Sequence, residues 1–99
     1  MNAYETKPTG GRFPLGRVVA TPGAIEALEQ ASINGFELLS RHHRGDWGDL
    51  SEDDKAENEF SVDKYLRIFS SYRISDDEKV WIITEADRSV TTLLLPSEY

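Results

Sequence analysis

The strongest constraint on the fold lies in the last third of the chain. Three segments there, "YLRIFSSYRIS", "KVWIITEA" and "SVTTLLLP", are rich in aromatic and β-branched residues, with only "DDE" and "ADR" separating them. Connections that short reverse a chain but cannot carry it back over a sheet, so the segments predict an antiparallel meander. On the first strand Leu66, Ile68, Tyr72 and Ile74 share one face, with Arg67, Phe69 and Arg73 on the other. The second and third strands are apolar on both faces, which predicts a central strand, with Trp81, Ile82 and Ile83, covered on both sides. Helices are expected over one face and an oligomer, a homodimer, or the N-terminal segment over the other.

Upstream the period changes. "LGRVVAT" reads as a short strand entering a helix, with Thr21 as N-cap and Pro22 at the first helical position. "PGAIEALEQA" then puts Ala24, Leu28 and Ala31 on one stripe as a two-turn helix. A second helix starts at Asn34, with Glu37 in capping-box position, and ends before Gly45. In it Phe36, Leu39 and His43 form one stripe, Leu38 and His42 the next. Ser51 opens a third helix, acidic in its first turn, whose thin apolar content points to Ala56 and Phe60 as anchors. The predicted fold is α+β: two or three N-terminal helices packed on an antiparallel three- to four-stranded β-meander. Residues 1–12, with Pro8, Gly10 and Gly11, read as a flexible N-terminal arm, and residues 13–99 as a single domain.

Composition narrows the function classes. The chain has 99 residues and no cysteine, which excludes a disulfide framework, a thiolate zinc site and a cysteine nucleophile. It contains no run of 18 apolar residues, and "MNAYETKPTGGR" lacks the apolar core of a secretion signal, so a cytoplasmic protein without membrane contact is expected. The net charge of -7 is concentrated: residues 45–63 hold eight acids against Lys55 alone, while the other residues carry ten acids and ten bases. That is a local field, attractive to basic proteins and repulsive to nucleic acid.

The segment "RHHRGDWGD", residues 41–49, concentrates the chemistry-bearing side chains. Adjacent His42 and His43 diverge by roughly 100° on a helix and do not suit one ion, so neither a metal nor a cofactor is expected. An enzymatic reading is a metal-independent endoribonuclease of barnase or RelE type, which shares the order of helices before a meander. His42 or His43 and Glu85 would then be base and acid, with Arg73 and Arg88 stabilising charge on phosphate. The leading reading is a binding surface formed by Asp46, Trp47, Asp49, Glu52, Asp53 and Glu57, with Trp47 either an exposed anchor or an indole stapled over the core.

From Phe13 onward, "FPLGRVVATPGAIEAL", "RHHRGDWGD", "SSYRI" and "WIITEADRSVTTLLLPSEY" resemble a family of short uncharacterised bacterial proteins of plasmid-related type. The resemblance implies a mobile-element setting and transfers no catalytic role. The expected function is that of a small acidic accessory protein that binds a basic host protein, one that itself binds nucleic acid, as an inhibitor of nucleic-acid-directed host defence.

Overall fold

A computed structural model of the chain describes residues 11–99. It is an α+β fold of three helices and a four-stranded mixed sheet. In chain order the elements are β1 (Arg17–Ala20), α1 (Pro22–Ala31), α2 (Gly35–His43), α3 (Glu52–Lys64), β2 (Ile68–Arg73), β3 (Lys79–Thr84) and β4 (Val90–Leu94), followed by a 3-10 turn at Pro96–Glu98. Each helix begins where a side chain accepts an orphan N–H. Thr21 Oγ1 accepts from Ala24 N, Asn34 Oδ1 from Phe36 N and Ser51 Oγ from Asp54 N. Helix α1 runs ten residues rather than two turns and stops at Ser32, which is left-handed with φ 57°.

The meander β2-β3-β4 is antiparallel, but the sheet as a whole is mixed. Its order is β1-β4-β3-β2, and β1 lies parallel to β4 with Arg17 opposite Val90 and Ala20 opposite Leu93. All three helices intervene between those strands, a connection long enough for the crossover that parallel pairing needs. The helices cover one face, where Tyr72, Val80, Ile82 and Leu93 meet Ala24, Leu28, Leu38 and Leu39, while Ile68 packs with Phe13 and Trp47. On the other face, among the described residues, it is the C-terminal Tyr99 that covers the central strand. Its ring lies 5.7 Å from Trp81, which is itself edge-on to Phe69 at 4.9 Å.

Helix α3 departs from the expected anchoring, because Ala56 and Phe60 face outward and Phe60 is 54% exposed. Asn58 and Ser61 are the buried residues, with Val62 half-buried beside them. The physical reason is that α3 flanks a strand edge instead of an apolar face. The Asn58 amide donates to the carbonyl of Phe69 (2.6 Å) and accepts its N–H (3.1 Å), as another strand would. Residues 1–10 of the expected arm lie outside the described residues. Arg12, assigned to the same arm, is held instead: it donates to both carboxylate oxygens of Glu59, at 2.9 and 2.8 Å, and its N–H to the carbonyl of His43. Among the described residues no helix is long and apolar enough to cross a membrane.

Candidate functional site

The segment singled out by its composition closes the edge of β2. After α2, Gly45 turns the chain with φ +89° and Gly48 with φ +77°. Between them the strap runs alongside β2: Ser71 N–H donates to the Trp47 carbonyl (3.2 Å), Asp49 N–H to the Ser71 carbonyl (2.6 Å), and Arg73 N–H to Asp49 Oδ2 (2.8 Å). A side chain at Gly48 would run into the Ser71 carbonyl and the Tyr72 ring, so only glycine permits this approach. The Tyr72 hydroxyl donates to the Asp46 carbonyl at 2.6 Å, and burial pushes that phenol well above the ordinary tyrosine range. Arg41 pairs with Asp46 at 2.7 Å and holds its carboxyl below the ordinary aspartate value.

Trp47 is a staple, not an exposed anchor. It is 4% exposed, stacks with Phe13 at 6.1 Å, meets the edge of His42 at 5.9 Å, and donates its indole N–H to Glu59 at 3.0 Å. The expected binding surface therefore divides. Trp47 leaves it by burial, Asp46 and Asp49 spend their carboxylates within the strap, and Glu52, Asp53 and Glu57 remain exposed on α3. Among the described residues Asp53, Asp54, Glu57 and Asp63 form no ion pair, while Glu52 reaches only Lys55, at 3.5 Å. Phe60 lies in the middle of this acidic face. It was legible in the sequence as an apolar residue on a polar helix, but only the orientation of α3 places it outside.

His42 belongs to the core. It is fully buried, with Nδ1 2.6 Å from Ser70 Oγ and Nε2 2.9 Å from Thr84 Oγ1. The proton positions follow from the end of the chain of bonds. The Thr91 hydroxyl donates to the Leu15 carbonyl (2.6 Å), so Thr84 must donate to Thr91 (2.7 Å). Thr84 then accepts from His42 Nε2–H, and Nδ1 accepts from the Ser70 hydroxyl. The imidazole is neutral with both nitrogens satisfied, and burial lowers its pKa to about 3. The buried stripe shared with Leu38 was the signal in the sequence for this placement.

The residues of the nuclease reading are not brought together. Neither nitrogen of His42 is open to a substrate, and His43 is half-buried with its ring against Phe13. Glu85 pairs with Arg67 at 3.3 Å, and Arg67 also donates to the Tyr99 hydroxyl on the face away from the helices. Arg73 is exposed at the end of β2. Arg88 is buried and donates to the carbonyls of Leu66 (2.7 Å), Ser61 (2.9 Å), Glu85 and Ala86, tying the end of α3 to the β3-β4 turn. A general base at the attacking hydroxyl and a general acid at the leaving oxygen must flank one phosphodiester, and these groups lie on opposite sides of the sheet. Among the described residues no three His, Asp or Glu side chains converge as metal ligands.

The strap and the Asn58 contact are tested by stability. Asn58→Ala should cost about 2 kcal/mol in urea unfolding, because it leaves the Phe69 N–H and carbonyl without their partner. Phe60→Ala, at a side chain 54% exposed, should change stability by no more than about 0.5 kcal/mol. Equal losses for the two variants would mean that α3 is held by its apolar residues after all.

Compared with protein-family profiles, with curated proteins and with solved structures, the chain matches none.

Proposed function

We propose that the protein acts without catalysis, by presenting α3 to a basic protein. The observation that carries this reading is the exposed face of α3, where Asp53, Glu57 and Asp63 share the side of the helix that carries Phe60, while the buried Asn58 and Ser61 do the work of holding the helix. Those carboxylates form no ion pair among the described residues, which leaves them open to a partner. Such a surface combines steering charge with one apolar anchor, the usual division of labour at a protein interface. The partner chemistry that complements it is a cationic groove, of the kind that otherwise receives nucleic acid. In the cytoplasm that its composition suggests, and in the mobile-element setting that the family resemblance implies, the protein would inhibit a nucleic-acid-directed host defence protein by occupying that groove.

The test uses a basic nucleic-acid-binding protein captured from host lysate and then purified. Its association with the wild-type chain should slow as salt rises, because steering is screened with a Debye length of about 10 Å at 0.1 M. Replacing Glu52→Gln, Asp53→Asn and Glu57→Gln together should slow association about tenfold at an unchanged melting temperature, and Phe60→Ala should speed dissociation. Unchanged rates in both variants would remove α3 from the interface and end this reading.

A further inference from the structure

The two edges of the sheet are finished in opposite ways. On β2 the outward-pointing groups belong to Phe69, Ser71 and Arg73, and Asn58, Trp47 and Asp49 bond them. On β1 the N–H groups of Arg17 and Thr21 donate to the carbonyls of Ser89 and Leu93, at 2.9 and 3.0 Å, so the odd-numbered residues face β4. Val18 and Ala20 therefore point their N–H and C=O groups away from the sheet, and nothing among the described residues bonds them. This strand carries no proline, lysine or bulge to blunt it. Beside it the surface is apolar: Val18, Ile25 and Phe36 are 42%, 47% and 76% exposed around one groove between the strand and helices α1 and α2.

We infer that a second copy of this chain pairs with this edge, β1 against β1, antiparallel about a two-fold axis through Val19, so that two four-stranded sheets become one of eight. In that register Val18 of each copy exchanges both backbone hydrogen bonds with Ala20 of the other, and the two Val19 side chains face each other as a non-hydrogen-bonded pair. Arg17 falls opposite Thr21 of the second copy. The Thr21 hydroxyl is bonded at 2.5 Å to Glu98, so each pairing sets the exposed Arg17 of one copy beside the Glu98 carboxylate of the other. Arg17 forms no ion pair among the described residues, and the antiparallel register supplies one twice over by symmetry. Parallel pairing would instead bring Arg17 near its own equivalent.

The net charge does not oppose this assembly. The excess lies in residues 45–63, and α3 sits at the β2 edge, the far end of the sheet from β1. Seven strand spacings would separate the two β2 edges, about 34 Å at 4.8 Å each. That is several Debye lengths at physiological salt, so the acidic helices do not repel one another appreciably. The pairing does not rest on the proposed partner of α3, and its test needs no partner.

Sedimentation of the full chain across the micromolar range should show a species of twice 11.2 kDa that dissociates on dilution. The register has its own readout. Amide exchange at Val18 and Ala20 should slow as concentration rises, while Val19, bonded within the sheet, stays protected throughout. Val19→Lys, which sets two like charges across the axis, and Arg17→Glu should each weaken dimerisation about tenfold or more. Glu98→Arg combined with Arg17→Glu should recover most of that loss. Should Val19→Lys fail to fold, as judged by circular dichroism, Arg17→Glu alters an exposed side chain and decides alone. A chain that stays monomeric at all concentrations overturns the inference. So does a dimer that tolerates Arg17→Glu and Val19→Lys, or one in which the Val18 and Ala20 amides exchange freely.

Discussion

Stability should fall steeply as pH drops from about 6.5 towards 3, beginning above the range in which carboxylates titrate. His42 is the cause. Its folded pKa is lowered to about 3 from an ordinary value of 6.5, so between those values the unfolded chain binds a proton that the folded chain refuses. The stability contributed by the neutral buried imidazole is present in full above pH 6.5 and is lost as pH falls through that window. The slope approaches about 1.4 kcal/mol per pH unit, and the loss accumulates to the order of 4 kcal/mol. Asp46 and Glu59, whose carboxyls are held low by Arg41 and Arg12, add to the loss only once pH nears their ordinary values of 3.8 and 4.5. Both of those pairs are largely exposed, and their contributions are small. Urea unfolding at a series of pH values between neutrality and about pH 5 isolates His42. His42→Gln, which carries a donor and an acceptor but does not titrate, should flatten the profile there. A wild-type profile already flat over that span would contradict the buried neutral imidazole.

Arg88→Met should destabilise the fold by about 3 kcal/mol or more, an effect comparable to breaking a buried ion pair. The guanidinium is 6% exposed and pairs with no carboxylate among the described residues; carbonyl dipoles from the end of α3 and from the β3-β4 turn carry its charge. Burial lowers its pKa from the ordinary arginine value. The rings of Tyr65 and Phe13 lie 5.0 and 5.8 Å from its centre, enclosing the cation further. Methionine would fill similar space, leave the Leu66 carbonyl without a donor and reduce the Ser61 carbonyl to its backbone partners at the end of α3. Arg88→Lys should recover little, because a single ammonium cannot span carbonyls that a planar fork reaches from two nitrogens. Amide exchange should then speed up first at the end of α3, around Lys64 to Leu66. Retention of more than nine-tenths of the stability in both variants would show that the fork is dispensable.

The caps at Thr21, Asn34 and Ser51 and the alternation through Ile68, Tyr72, Val80 and Ile82 were legible in the sequence. Each rests on bonds or side-chain positions within a few residues, or on the period of a single strand. The candidate site was less so. "RHHRGDWGD" drew attention as a cluster of functional side chains, yet its glycines and aspartates close a sheet edge formed more than twenty residues later. Composition marks such a segment as special and cannot separate edge closure from chemistry. The acidity of α3 was equally plain, but which of its sides faces water was not.

What the sequence by itself determined is therefore local: where helices start and stop, which residues alternate along a strand, where the charge collects, and which chemistries the absence of cysteine removes. The tertiary structure alone decided that β1 lies parallel to β4, that Asn58 and not Phe60 holds α3, that His42 is bonded by the hydroxyls of Ser70 and Thr84, and that Arg88 serves four carbonyls. The physical reason is the range of the interactions. Caps and periodicity act through neighbouring bonds, whereas each of these placements satisfies a polar group on a distant segment, and nothing in the chain marks which distant group will be left in need of a partner.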